Sequence, residues 1–406
     1  MHHFRRIALG VLASFALLAP AVPAQAADTS DSDLVAGWLA RTLAANNDLA
    51  VLPAGGADYA STAYALVGLR AAGVAGDQIT ASAKAMAASG DAFIGGVGDV
   101  DSKATAISLM ILAMVAGGLD PSQYAGSAGT RDLYADLESV IGPDGAVSST
   151  ATAYGQSFAI LALLSAPGGV PDPVKFWLLT QPCTDASSPG FGGYGFSGPG
   201  SCDDADPDST ALAVIAAAAA GVPVGTLEPA RVFLVSVQDS SGGFDSAFSG
   251  INANTTGLAV AALNVISTGS SEAAKGTSFL ESLLYTCDAA SDSGTADLVG
   301  AMALTAEARA STVINPVADA DRDVFFQAAA QGIYGFVDIV TNPGEYGTAS
   351  AGVPDPSCST GTPSASASPA ADSSSAASDW WWALGGFLVV VLVYIGWRFL
   401  ISARKA

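Results

Sequence analysis

Thr210–Ala220 reads TALAVIAAAAA, a run with no charge and very little bulk. A helix apolar on every face belongs in an interior, and side chains this small let neighbouring helices approach closely. The same arrangement, a Thr opening a small apolar helix after a Gly-rich acidic loop, recurs at Thr62-Ala63, Thr105-Ala106, Thr152-Ala153, Thr256-Gly257 and Thr295-Ala296. Counting Thr210-Ala211, the spacings along the chain are 43, 47, 58, 46 and 39 residues. Each Thr is expected to act as an N-cap, its hydroxyl accepting from an orphan backbone N–H. Such a period is too long for one helix and a turn, and it fits two helices and two loops. Six helical hairpins are what a closed double ring of helices requires.

A more amphipathic segment precedes each apolar helix: Asp33 to Asn46, Asp77 to Ser89, Arg131 to Ile141, Pro173 to Gln181, Glu228 to Gln238 and Ala273 to Tyr285. These segments carry Arg41, Lys84, Arg131, Lys175, Arg231 and Lys275, so one side of each should meet water. They read as outer helices around the apolar inner ones, with Asp319 to Gln331 sealing the seam. Inner-to-outer connections are tight (Ala72 to Gly76; Gly221 to Gly225), whereas outer-to-inner connections are long. The inner helices should therefore point one way and gather their N-termini at a mouth built from the long loops. Each N-terminus carries roughly half a positive charge, and Asp101, Asp208 and Asn254 lie where they would cap or offset it.

The ends are of a different kind. Arg5 and Arg6, the apolar run Ile7 to Leu18 and Ala24-Gln25-Ala26 before Ala27 have the layout of a signal peptide over residues 1–26. Trp380 to Trp397 is an uncharged stretch of 18 residues, flanked by Trp380, Trp381 and Trp382 on one side and by Arg398, Arg404 and Lys405 beyond. That is the length, aromatic belt and charge asymmetry of a single transmembrane helix, placed at 380–401 with a cytoplasmic tail at 402–406. A Ser/Pro/Ala-rich spacer, 351–379, separates it from the domain at 27–350. No LPxTG-type sorting motif accompanies the anchor. The expected protein is a single-pass type I protein of the cell membrane, with its domain outside the cell.

Between these ends the chain carries all 37 acidic residues but only 10 of the 15 basic ones, about −27 spread along its length. That argues against nucleic acid and anionic membrane surfaces as partners; a cationic ligand is compatible, as is plain solubility. Both histidines, His2 and His3, fall in the signal peptide. A Ser-His-Asp triad, a Cys-His pair, a His general base and a His-ligated zinc are thereby excluded from the exported domain. Four cysteines in an oxidising compartment allow three pairings. Cys183–Cys202 would staple one long loop, and Cys287–Cys358 would tie the chain's exit to the last hairpin. Zinc held by thiolates lacks its C-x-x-C spacing.

Gln238-Asp239-Ser240-Ser241-Gly242-Gly243-Phe244, followed by Thr255-Thr256-Gly257-Leu258-Ala259, resembles the Q-x-x-x-G-x-[W/F] repeat of the α/α-toroid superfamily. That group includes triterpene cyclases, protein prenyltransferase β-subunits, the thioester domain of complement-like proteins and the cobalamin carriers of the intrinsic factor and transcobalamin group. A degenerate copy is Gln181 with Gly190-Phe191-Gly192-Gly193-Tyr194 ahead of Asp208-Ser209-Thr210-Ala211-Leu212. The resemblance covers about residues 30 to 335 and implies an all-α fold, an (α/α)6 toroid of six hairpins. The catalytic patterns do not carry over. Asp203-Asp204-Ala205-Asp206 has the wrong order for the D-x-D-D acid of the cyclases, prenyltransferase zinc needs a His, and no cysteine sits in Cys-Gly-Glu-Gln. Toroidal lyases rely on His, Tyr or Arg, for which Tyr64 or Tyr154 alone is thin support.

What remains by resemblance is a carrier: a non-catalytic surface protein that captures a small molecule, such as a corrinoid, at the toroid mouth. It would serve an uptake transporter, with the carriers' β-domain supplied by a separate protein. The competing readings are a degenerate cyclase-like or lyase-like enzyme and a surface adhesin. The candidate ligand contacts are Tyr64, Tyr154 and Gln156 at the starts of inner helices, Phe191, Tyr194 and Phe196 in the longest loop, and Phe248 and Asn252 one repeat later. Asp203, Asp204, Asp206 and Asp208 offer hard oxygen ligands to calcium. The run lacks both the turn glycine and the closing acid of an EF-hand, which favours a solvated capping loop.

Overall fold

The computed structural model describes residues 30–196, 198–246, 249–288, 296–311, 319–339 and 347–355. The predicted signal peptide, most of the spacer, the predicted membrane helix and tail, Thr295, Phe248 and Cys358 lie outside them. Among the described residues no helix is long and apolar enough to cross a membrane.

Among the described residues the protein is all-α, apart from three short hairpins. Its helices are α1 (Asp31–Ala45), α2 (Tyr59–Ala72), α3 (Gly76–Ser89), α4 (Asp91–Ile94), α5 (Val100–Ala116), α6 (Leu133–Ser139) and α7 (Ala153–Leu163). They continue with α8 (Asp172–Leu179), α9 (Pro207–Ala219), α10 (Glu228–Val237), α11 (Ala253–Ile266), α12 (Ser271–Leu283), α13 (Ala306–Ser311) and α14 (Asp319–Gly332). Antiparallel hairpins pair β1 (Ala50–Val51) with β2 (Ala57–Asp58), β3 (Tyr124–Gly126) with β4 (Gly129–Arg131), and β5 (Phe244–Ser246) with β6 (Gly250–Asn252).

Packing separates two sets of helices. The apolar α9 buries ten of its thirteen residues, whereas the amphipathic α10 buries only Ala230, Phe233 and Leu234. The inner set makes a cycle of contacts, α2 to α5, α5 to α7, α7 to α9, α9 to α11, α11 to α14, and α14 back to α2. Around it, α1, α3, α6, α8, α10 and α12 each pack on one or two inner helices.

One loop device repeats and explains how each hairpin locks to the next. Gly145, Gly192, Gly242 and Gly300 all have positive φ, and each presses on a backbone carbonyl in an outer helix. The carbonyls are those of Pro173, Pro229, Lys275 and Leu34, and a Cβ on the glycine would stand only 2.0 to 2.3 Å from them. Two residues on, Val147, Tyr194, Phe244 and Met302 are buried. The fourth contact is the closing one, because Leu34 belongs to α1. Arg41 adds to that closure by donating to the carbonyls of Val299 and Pro354. Asp48, also at positive φ, takes the glycine's place in the first hairpin and accepts from Gln78 of α3.

Two expectations need correcting. Among the described residues only Thr152 is an N-cap as predicted, accepting from the Gly155 N–H, while Thr105 lies inside α5, whose cap is Asp99. Thr62, Thr210 and Thr256 sit one turn inside, and the caps are Asp58, Asp206 and Asn252. Each inside Thr donates to its cap's carbonyl and accepts from a loop N–H, of Ala50, Tyr194 or Phe244 respectively. The hydroxyl thus ties the loop to the helix, a task no apolar isostere can perform. Second, the sixth inner place is taken not by a helix starting at Thr295-Ala296 but by α14. Ala296–Leu298 is a single 3-10 turn, and Gly300 turns the chain into a buried stretch in which Met302 bridges to Leu284. Beyond α14, Ser350 and Gly352 hydrogen-bond to the turn joining α2 and α3.

Candidate functional site

The lumen of the inner ring is built in storeys by helical periodicity, since residues four apart share a face. Six residues after their caps, Tyr64, Phe158, Leu212 and Leu258 line an apolar cavity of ≈ 40 Å³, with Val67, Leu161 and Ile215 nine residues after. Leu109 and Leu112 of α5 complete the near side, and Tyr334 and Ile339, beyond α14, supply the sixth wall. The Tyr334 hydroxyl donates to the Tyr64 carbonyl and pins that wall.

The storey above, two residues after the caps, is polar: Tyr154 on α7, Asp208 on α9 and Asn254 on α11. The hydroxyls of Tyr64 and Tyr154 meet at 2.8 Å, and Tyr154 also shares a hydrogen bond with Gln331 of α14. Burial, and then the neighbouring hydroxyl of Tyr154, raises Tyr64 well above the ordinary phenol range. Burial raises Tyr154 as well. Asp208 keeps one bond, from Thr255, while its Oδ1 is covered and has no partner; Asn254 Oδ1 and Ser209 Oγ are in the same condition. Burial, and secondarily the charge of Asp206, pushes the Asp208 carboxyl up to about 7. Above that pH it is an anion near two phenols; below it, a neutral acid.

The candidate residues divide accordingly. Tyr64 and Tyr154 come together in the lumen. Gln156 does not join them: it is fully buried in the wall, accepting from the Val147 N–H and donating to the carbonyls of Gly145 and Val174. It stands where α2, α9 and α11 have their inside Thr. Tyr194 is buried as the residue two after Gly192, and Asn252 is the α11 cap. Both build the frame rather than a ligand surface. Phe191 and Phe196 are half-buried on the loop closed by the Cys183–Cys202 disulfide, where the Phe196 N–H donates to Asp204. Cys287 is also disulfide-bonded, and its expected partner lies outside the described residues.

The four aspartates proposed for calcium go separate ways. Asp203 is exposed, Asp204 holds its own loop through Ser201 and Phe196, Asp206 caps α9 and Asp208 belongs to the lumen. Among the described residues no three His, Cys, Asp or Glu side chains are grouped to hold a metal. Sequence reasoning treated Asp208 and Asn254 as dipole caps and missed their place in the lumen. The signal was their spacing of four from Leu212 and Leu258 on the same face.

No protein-family model and no curated protein matches this chain.

Proposed function

We propose that this chain is an exported (α/α)6 toroid, tethered to the membrane by its C-terminal segment, that captures a small molecule at the polar end of its lumen. The observation that carries the reading is the pairing of an apolar well with covered, unpartnered oxygens on Asp208 and Asn254. Buried polar atoms without partners are uncommon and costly; neither residue lines the well itself, but each stands four residues before one that does, Leu212 or Leu258, and we read that turn of the ring as the place where another molecule completes the bonding. The size of the well selects among ligands. At ≈ 40 Å³ it holds about three water-sized groups, so a corrinoid would have to lie outside it. Membrane tethering suits delivery to an uptake transporter or a separate β-domain protein. The acidic surface leaves nucleic acid out of the reading.

The test compares the full-length protein with Leu161→Phe, which fills the well. A panel of small polar-headed organic molecules, with cobalamin and cobinamide included by spectral titration, should raise the melting temperature of the wild type alone. Equal shifts in both proteins would move the binding site out of the lumen.

A second reading has one observation in its favour. An Asp208 carboxyl that titrates near neutrality beside Tyr154 has the properties of a general acid. Turnover of a polyprenyl substrate that is lost in Asp208→Asn would establish it; Asp204 and Asp206 are committed to the loop and the cap.

A further inference from the structure

The partners missing from the upper storey have a definite chemical sign. With Asp208 ionised, as it is above neutrality, its Oδ1 and Asn254 Oδ1 both accept hydrogen bonds and cannot donate them, and the two residues occupy equivalent positions on the neighbouring helices α9 and α11. Whatever completes them must donate. Directly below, Tyr64 and Phe158 are tilted against each other at 5.7 Å between ring centroids, and Tyr154 meets Phe158 edge-on at 5.0 Å. Aromatic faces attract cations, and among the described residues no Lys, Arg or His lines the cavity. The described groups that interact with Asp208 (Asp206, the cap of its own helix, Tyr64 on α2, Tyr154 on α7 and Thr255 on α11) are acidic or neutral.

We propose, on the footing of the lumen-binding reading, that the ligand is a small alkylammonium ion, its charged head between Asp208 and Asn254 and its alkyl body among Tyr64, Phe158 and Leu212. The ammonium supplies the donors that both oxygens lack and neutralises the buried carboxylate. The well beneath accepts a body of about three carbons. A bare metal ion satisfies the oxygens but leaves the apolar well empty, and a neutral alcohol fills the well but leaves the carboxylate unpaired.

Titration calorimetry of the full-length protein at pH 8 separates these occupants, with n-propylammonium, 1-propanol, sodium and calcium as probes. The ammonium ion should bind at least tenfold more tightly than 1-propanol. Asp208→Asn should weaken it tenfold or more, leave 1-propanol within threefold, and remain folded because it deletes a buried charge. Asn254→Ala should weaken it too. Equal binding of ammonium ion and alcohol, indifferent to Asp208→Asn but abolished by Leu161→Phe, would overturn the ammonium assignment and leave the lumen reading standing. Binding of both that survives Leu161→Phe would remove both readings. Tight binding of calcium or sodium that displaces propylammonium would make this a metal site and end the proposal, as would no binding of propylammonium at all.

Discussion

The Tyr64 and Tyr154 hydroxyls, 2.8 Å apart, join two helices that are not neighbours in the inner cycle: α5 stands between α2 and α7. The bond therefore spans the lumen rather than a helix–helix seam. Deleting either hydroxyl should cost about 1 kcal/mol. Tyr64→Phe and Tyr154→Phe together should cost less than the sum of the two, by roughly 0.5 kcal/mol or more, because the second deletion finds the bond already gone. Urea denaturation of the two single variants and the double variant measures the coupling. Strict additivity would mean that the hydroxyls do not meet in solution.

The inside threonines make a sharper claim. Thr210→Val keeps the shape of the side chain but leaves the Tyr194 N–H, bonded at 2.9 Å to the hydroxyl, without an acceptor in the interior. A cost of about 1–3 kcal/mol is expected. Were Thr210 the helix cap, Asp206→Ala would be the harmless change. Instead Asp206→Ala should also cost about 1 kcal/mol, through the lost bond to the Ser209 N–H. Equilibrium denaturation of both variants decides the assignment.

How far the sequence could be read follows from the same residues. The inner helices α9 and α11 were legible because small apolar residues cover every face of each. The caps were misplaced because Thr serves equally well as a cap or as a loop anchor, and only the partner N–H tells the two apart. The recurring interval of four from Asp58 to Thr62, Asp206 to Thr210 and Asn252 to Thr256 was the available signal. The sixth inner helix was hidden for a different reason. In the third to fifth hairpins the Thr follows the positive-φ glycine, whereas Thr295 precedes Gly300, and Asp319 to Gln331, with its charged start, reads as a segment sealing the seam rather than as an inner helix. The buried ends of Tyr194 and Asn252 depend on long-range closure against neighbouring hairpins, which no local pattern reports.

Ring closure itself can be tested at Gly300. Its φ is +92°, and an added Cβ would lie 2.0 Å from the Leu34 carbonyl oxygen. Gly300→Ala must both strain the backbone and push α1 away, for roughly 3 kcal/mol or more. Gly269, at φ +70° with nothing within 4 Å, is the control. There the left-handed conformation alone should cost about 1 kcal/mol. Hydrogen exchange adds the location: α1 should lose protection in Gly300→Ala and keep it in Gly269→Ala.

Asp208 gives the domain a pH dependence of unusual sign for an aspartate. Its carboxyl stands at about 7 in the folded protein against an ordinary value of 3.8. Between those values the folded state holds a proton that the unfolded chain has released, so stability falls as pH rises through this window and levels off above about 7. The full shift corresponds to a cost on the order of 4 kcal/mol above neutrality. Asp208→Asn removes the titration while keeping the shape. The variant should therefore be more stable than the wild type at pH 8, with the gap closing on acidification and vanishing below pH 4. Urea midpoints measured across that range give the curve. A variant less stable than the wild type at pH 8 would mean that the carboxylate is already satisfied in the free protein, and the lumen would then have no need of a donor from outside.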